Sequence, residues 1–310
     1  FGNTTGTLRW NHLYGSRLFS NTSFIINDYH LGLATAQGNY YSLLYTGVKD
    51  VTAKTDFTFI PGPDHEVKAG VAYTYHTLYP GAVSAKIPKK GNSLELNRDS
   101  LTKQYSNEMA FYISDELKMT DILSVNYGLR VPVFFSGKKT YASIEPRLII
   151  KFLLNSATSI KASYTQMNQF MHLVPNSTAS LPTDIWLTSN EKIKPQNSTQ
   201  YALGLFKNFK NNEIETSIEV YYKTMNNQVL FKEGTQISLN TNLNDILAFG
   251  NGKSYGIEFF VKKNFGKLTG WGSYTLSKTT QKFPDLNYGK EFPFTYDRRH
   301  NLSVAASYEL

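Results

Sequence analysis

The chain has 310 residues and a net charge of +8; 14% of its residues are aromatic, whereas only 18% are charged. It contains no apolar run of about 18 residues, so a transmembrane helix is not predicted. Its basic residues are spread along the chain and no nucleic-acid-binding module is recognisable, so nucleic acid is not an expected partner.

Apolar and polar residues alternate with a period of two along most of the chain, which predicts β-strands. Leu123, Val125 and Tyr127, for example, share one face of a segment. Ser124 and Asn126 lie on its other face. The pattern predicts about thirteen strands, at 4–13, 18–28, 48–60, 65–77, 104–117, 122–134, 140–153, 158–166, 199–208, 214–225, 254–263, 268–278 and 299–310.

The connections between these strands are alternately short and long. Short turns at one end of an up-and-down sheet and long loops at the other are typical of transmembrane β-barrels. The predicted strands are roughly 9–14 residues long, enough to cross a bilayer and longer than the roughly 5–6 residues usual in soluble sandwiches. The longest polar connections are expected at 29–47, 78–103, 166–197, 226–253 and 279–299.

These patterns predict an all-β protein, an antiparallel up-and-down transmembrane β-barrel in the cell outer membrane. An odd number of strands does not suit a bacterial single-chain barrel. An open sheet would also leave edges that lipid cannot satisfy. We therefore expect the chain to be part of a larger barrel.

Several motifs resemble those of TonB-dependent outer-membrane receptors, in the order in which that family carries them. The first two motifs of the series below, residues 3–11 and 18–22, also resemble the family as it occurs in Bacteroidetes-type bacteria. The motifs are NTTGTLRWN (3–11), LFSNT (18–22), EPRL (145–148), SIKASY (159–164), NEKIKPQNS (190–198), YALG (201–204), YGIE (255–258), GWGSYTLS (270–277) and YDRRHNL (296–302).

The resemblance implies a barrel of about 22 strands with a plugged lumen. Residues 1–310 would be a single domain, the middle portion of that barrel, with the plug domain and the closing strands outside this chain. It further implies TonB-driven uptake of a scarce ligand: a siderophore, cobalamin, a glycan or a peptide. The implied partners are outer-membrane lipid or lipopolysaccharide, the protein's own plug domain, the TonB complex through an N-terminal part outside this chain, and a surface lipoprotein.

Two long loops carry the candidate ligand-binding residues, because function in barrels concentrates in loops on a rigid scaffold. Their aromatic and amide side chains would suit a sugar, a siderophore or a peptide. The same aromatic residues would equally serve to pack the loops or to mark the membrane interface. The candidates are Gln169, Phe170, His172 and Trp186 in the loop 166–197, and Phe283, Tyr288 and Phe292 in the loop 279–299.

Charged residues near the barrel wall are expected to have structural roles. Arg147 and Lys151 would form ion pairs that brace the lumen or hold the plug. At the re-entry of the last long loop, Asp297 would cap the turn. Arg298 and Arg299 would pair with loop carboxylates or with lipopolysaccharide phosphates.

No enzymatic signature is present. The six histidines are scattered without metal-ligand spacing, so neither a metal site nor a cofactor is expected. A hydrolase barrel would need a Ser/His/acid constellation at one rim, and none can be assembled. Two non-catalytic alternatives remain open, a passive porin-like channel and a surface interaction barrel.

Overall fold

Nearly all of the described chain lies in one antiparallel sheet of 15 strands. The computed structural model describes residues 1–37, 40–86, 103–175, 184–235 and 245–309, with only the backbone described at 33–37, 40–44 and 81–86. The strands are β1 (Gly2–Leu13), β2 (Leu18–Gln37), β3 (Tyr40–Gly62), β4 (His65–Lys86), β5 (Gln104–Lys118), β6 (Leu123–Ser136), β7 (Lys139–Ala142), β8 (Glu145–Asn155), β9 (Thr158–Gln169), β10 (Met171–Val174), β11 (Ile185–Thr188), β12 (Gln196–Phe209), β13 (Ile214–Phe231), β14 (Leu247–Lys263), β15 (Leu268–Lys282), β16 (Phe292–Pro293) and β17 (His300–Tyr308).

Each long strand pairs with its neighbour in the chain, which confirms the up-and-down topology and the predicted strands. Only β10 and β11 stand apart, as a separate two-stranded sheet within the described residues. A short 3-10 helix, Asn287–Gly289, lies in the last long loop. Within the described part of the chain, no helix is long and apolar enough to cross a membrane.

Strands β2 and β3 are much longer than predicted. They remain paired up to Gln37 and Tyr40, so the expected polar connection at 29–47 was wrong. Residues 40–47 (YYSLLYTG) include three Tyr and one Thr. These residue types favour strands, so the ladder continues where polarity alone suggested a loop.

Other boundaries shift for similar reasons. The expected loop at 226–253 is shortened because β13 and β14 both extend into it. Strand β4 likewise extends into the expected loop at 78–103. Residues 87–102 of that loop lie outside the described residues. Conversely, the single strand predicted at 140–153 is divided into β7 and β8. Pro132 lies opposite the break and has no N–H to donate, so at this point the ladder keeps only the bond from Ser143 N to the Pro132 carbonyl, at 3.2 Å.

One face of the sheet carries a continuous band of apolar side chains. Leu203 pairs with Val220, Val220 with Ile257, and Ile257 with Leu276. Leu203 is 51% exposed and Val220 is 43% exposed. The band takes one residue in two along every strand. An exposed apolar band of this extent is the lipid-facing surface of a transmembrane barrel. We call this face the lipid face and the opposite one the inner face.

The hairpin β10–β11 shows that the sheet curls around its inner face. Strand β11 contacts β3 and β4, whereas β10 contacts β13. In a flat sheet β4 and β13 would be about 29 Å apart, at about 4.8 Å per strand. A hairpin with four-residue strands cannot bridge that distance, so the wall bends around it.

Candidate functional site

A core of buried side chains holds the hairpin β10–β11 in the mouth of the barrel. His172 pairs with Leu187, and Val174 pairs with Ile185, so one hairpin face carries all four side chains. All four are buried. The apolar ones form a cluster with residues from the turn after β11 and from the upper ends of β13 and β14, namely Ile193, Val229, Phe231 and Leu247.

Aromatic stacking and hydrogen bonds fix the hairpin to the neighbouring wall. Phe170 is 3% exposed and its ring stacks on Phe134, with centroids 4.8 Å apart and planes inclined by 5°. Phe134 projects from β6 and is fully buried. The Tyr141 hydroxyl donates to the Asn190 carbonyl at 2.7 Å. The hairpin is therefore a fixed platform.

His172 is buried inside this platform. Its Nε2 lies 2.9 Å from Ser189 Oγ, and both side chains are almost inaccessible. Burial disfavours the charged imidazolium and lowers the pKa of His172 to about 4. The imidazole is thus neutral at physiological pH and serves packing.

Acidification should release the hairpin. The folded pKa of His172 lies below the ordinary value of about 6.5, so its neutral form stabilises the fold above pH ~6.5 and this contribution is lost as the pH falls towards ~4. The full loss is about 3 kcal/mol. We expect amide hydrogen exchange in β10 and β11, corrected for the intrinsic pH effect, to accelerate over this range. His172→Gln should remove that response, and an unchanged response in the variant would contradict the assignment.

The opposite face of the hairpin is open. Leu173 is 45% exposed and pairs directly with Trp186, which is half-buried. Gln169, at the end of β9, is exposed and its amide donates to the Met171 carbonyl. Of the four candidates in this loop, Gln169 and Trp186 are accessible to a ligand, whereas Phe170 and His172 are packed beneath them.

The second candidate loop has its own small core. Phe283 is fully buried with Ala248 and Leu286, and Phe292 packs against this cluster. The Phe283 ring lies so close to Gly250 that a Cβ there would collide with it. Tyr288, in the 3-10 helix, is 98% exposed. Tyr288 is therefore the most accessible candidate of this loop.

The upper inner face carries a charged network that sequence reasoning did not single out. The Arg130 guanidinium contacts Glu108 at 2.6 Å and Glu145 at 2.8 Å. Glu145 is 2% exposed and also accepts a bond from Asn168 N at 2.8 Å. The sequence signal was the alternation itself, which puts charges of both signs on the same face of neighbouring strands. Arg147, which we expected to form an ion pair, makes none among the described residues.

Lower on the inner face, like charges lie side by side. Lys151 is paired directly with Lys161 in the strand register, and Glu219 is paired directly with Glu258. Gly204 separates the two pairs, because it is opposite both Lys161 and Glu219. Directly opposed like charges destabilise a sheet. Within the described residues, neither acidic side chain has a cation within ion-pair distance.

The acidic pair lines a cavity of about 450 Å³. Hydroxyl groups from two strands, β13 and β15, share this cavity. Ser217 donates to Glu219 at 3.3 Å. In the described part of the chain, no three His, Cys, Asp or Glu residues form a group that could hold a metal ion. The cavity is open to the lumen and offers negative charge.

The last loop re-enters the sheet as predicted. Asp297 accepts a hydrogen bond from Thr279 N at 2.7 Å and thus caps the turn. Arg299 lies 3.5 Å from the Asp297 carboxylate, which confirms its pairing with a loop carboxylate.

Residues 1–310 match the model of the family described as "TonB dependent receptor-like, beta-barrel". The chain belongs to this family and is an outer-membrane protein of a Gram-negative bacterium. The Bacteroidetes origin suggested by the opening residues stays a prediction. No curated protein matches the chain.

Solved structures of receptors and transporters share the fold. The pyoverdine outer membrane receptor FpvA from Pseudomonas aeruginosa PAO1 is 17% identical with a TM-score of 0.67, and the alignment covers 99% of this chain and 48% of FpvA. The FrpB iron transporter from Neisseria meningitidis is 12% identical with a TM-score of 0.69 and coverages of 99% and 48%. The copper transporter OprC is 13% identical with a TM-score of 0.72 and coverages of 99% and 50%. The chain thus spans about half the length of these proteins.

Proposed function

We propose that the protein is an outer-membrane receptor that takes up a scarce ligand by TonB-driven rearrangement of a plug in its lumen. Membership of the receptor family over residues 1–310 is the main support. The structural neighbours named above are receptors and transporters. No covalent chemistry is needed, since such a receptor works by differential binding between closed and open states. The plug, the TonB contact and any surface lipoprotein would involve parts of the system outside this chain.

The cargo would be captured at the outer mouth. The fixed hairpin presents Leu173 and Trp186 side by side, with the Gln169 amide nearby. Tyr288 and Phe292 would supply further aromatic contacts from the second loop. Rigid aromatic anchors beside hydrogen-bonding groups are typical of ligand sites. This combination suits a siderophore, cobalamin, a glycan or a peptide.

The inner face would hold the plug. The observation that carries this step is the acidic pair Glu219 and Glu258, which are directly opposed and lack a cation among the described residues. A basic surface of the plug would relieve their repulsion. It would also anchor the plug in a position from which a pull by TonB releases it.

Neutralising the acidic pair should therefore impair uptake. In the full-length receptor, we expect Glu219→Gln with Glu258→Gln to lower energised uptake by about tenfold, the effect of about 1.4 kcal/mol. Uptake of a panel of ferric siderophores, cobalamin, oligosaccharides and peptides would be measured in cells, at equal surface expression. Glu215→Gln is the control for loss of a carboxylate of the same cavity that is already hydrogen-bonded, because Glu215 accepts a bond from the Asn264 side-chain amide at 2.6 Å. Wild-type uptake by the double variant would contradict the plug contact.

A further inference from the structure

A cavity of about 420 Å³ lies in the outer mouth, beside the hairpin β10–β11. The upper ends of β5 and β6 supply Gln104 and Ser136 to its wall, and the hairpin side supplies Thr188 and Asn190. Cavities of roughly 300–1,000 Å³ are the usual size of small-ligand sites. Trp186 precedes Thr188 by two residues on β11, so both lie on the same face of the strand. This hairpin cavity therefore adjoins the open face that presents Trp186.

The hairpin cavity is bordered by hydroxyl and amide groups that bond one another only at long distances. The Thr188 hydroxyl donates to Gln104 Oε1 at 3.5 Å and lies 3.4 Å from Ser136 Oγ. The Asn190 amide donates to the Thr188 carbonyl at 3.4 Å. Hydrogen bonds of these types are usually about 2.7–3.0 Å long. Because hydroxyl and amide groups carry both donors and acceptors, a polar ligand can replace these contacts.

The same wall offers little to an apolar or a charged ligand. Among the described residues that line it, none is aliphatic, and Tyr105 is the single aromatic residue. Of its charged residues, Lys192 is paired with Asp245 at 2.8 Å, and the other two, Lys138 and Glu191, have opposite charges. The described lining thus has no surplus charge for an anionic siderophore and no apolar pocket for a peptide side chain.

The polar groups on the hairpin side are held in place before any ligand binds. The Asn190 carbonyl accepts the Tyr141 hydroxyl at 2.7 Å. Its side-chain oxygen accepts the backbone N–H groups of Lys192 at 2.9 Å and Ile193 at 3.1 Å, which leaves the amide N–H groups to point away from this turn. Groups that are already ordered lose little conformational entropy on binding.

We propose that the hairpin cavity binds the hydroxyl groups of a neutral glycan, with one sugar ring packed on Trp186. Sugar hydroxyls donate and accept hydrogen bonds, as do the hydroxyl and amide groups of the wall. The C–H groups of a sugar ring carry partial positive charge and pack on the negative face of an aromatic ring. This inference rests on the proposed function, because it names the cargo class of that receptor.

The test is a calorimetric titration of the detergent-purified full-length receptor. The probes are neutral oligosaccharides of glucose, mannose, galactose and xylose, compared with ferric siderophores, cobalamin and peptides. We expect an oligosaccharide to bind most tightly. Gln104→Met with Ser136→Ala should lower its affinity by about tenfold or more, since two hydrogen-bonding groups are lost. Slow hydrogen exchange in β10 and β11 should be kept, because neither residue belongs to the hairpin.

The control is Asn27→Leu with Thr5→Val, which also removes one amide and one hydroxyl. The Thr5 hydroxyl donates to Asn27 Oδ1 at 2.8 Å between β1 and β2, outside the hairpin cavity. Because these residues share no partner with the cavity, the control should change the affinity by less than about twofold. An equal loss in the control would overturn the proposal.

A second titration changes the ligand and leaves the protein intact. Methylating the hydroxyl groups of the bound oligosaccharide removes its donors and should weaken binding to the wild-type receptor by about tenfold or more. Equal binding of the native and methylated forms would overturn the proposal, and so would tighter binding of a siderophore, cobalamin or a peptide than of any oligosaccharide. These titrations contain no TonB, so failure of the proposed function would be seen separately, as uptake that does not depend on TonB.

Discussion

Replacing Arg130 by Met should lower the stability of the barrel wall more than any other single substitution considered above. Arg130 is the shared partner of Glu108 and Glu145, and Glu145 is 2% exposed. Removing the cation leaves a buried carboxylate without its charge partner, which typically costs about 3–5 kcal/mol. We expect the urea concentration at the midpoint of unfolding of the full-length receptor to fall correspondingly. Unfolding would be monitored by gel electrophoresis, through the heat-modifiable mobility of the barrel.

A compensating variant separates lost charge balance from lost packing. Arg130→Met combined with Glu108→Gln and Glu145→Gln removes the whole network, and neutral amides tolerate burial better than unpaired carboxylates. The triple variant should recover much of the stability lost in the single variant. If the triple variant were less stable than Arg130→Met alone, the ion-pair account of this network would be wrong.

Trp186→Ala should abolish high-affinity cargo binding while leaving the hairpin folded. Trp186 is half-buried on the open face of a platform whose other face is packed, so its removal takes away an anchor without opening the core. Truncating an anchor residue of this kind typically costs about 2–4 kcal/mol of binding. The probe is whichever member of the panel named above the wild-type receptor binds in a titration of its tryptophan fluorescence or by calorimetry.

Phe170→Ala is the contrasting variant. It removes the stack on Phe134 and leaves a cavity, which costs about 3–5 kcal/mol. We expect it to lose both cargo binding and the slow hydrogen exchange of β10 and β11. Trp186→Ala should lose only the binding. If Phe170→Ala kept wild-type affinity, a fixed hairpin would not be required for capture.

The strand framework could be predicted from the sequence because its signal is local. Period-two alternation around Leu123, Val125 and Tyr127 depends on a single strand, and each strand repeats it. The strand ends could not be predicted in the same way. Residues 40–47 contain Tyr and Thr, which favour a strand, but their polar groups suggest a loop. Pairing with β2 decides that they form a strand.

The sequence predicted which two loops carry the site, but not how their side chains are arranged in space. Aromatic composition selected Phe170, Trp186 and Phe283 alike, but burial depends on contacts distant in sequence. Phe170 is covered because Phe134 projects from β6, and Phe283 because it lies over Gly250. The pairing of Glu219 with Glu258 likewise emerges only from the register of two strands.

Uptake with and without TonB tests the central proposal most directly. The full-length receptor would be expressed in cells with an intact or a deleted TonB system, and accumulation of the radiolabelled panel ligands would be followed at equal surface expression. The account predicts accumulation of one ligand class in the intact cells and only surface-bound ligand in the deleted cells. Equal accumulation in both would contradict it and identify a passive channel.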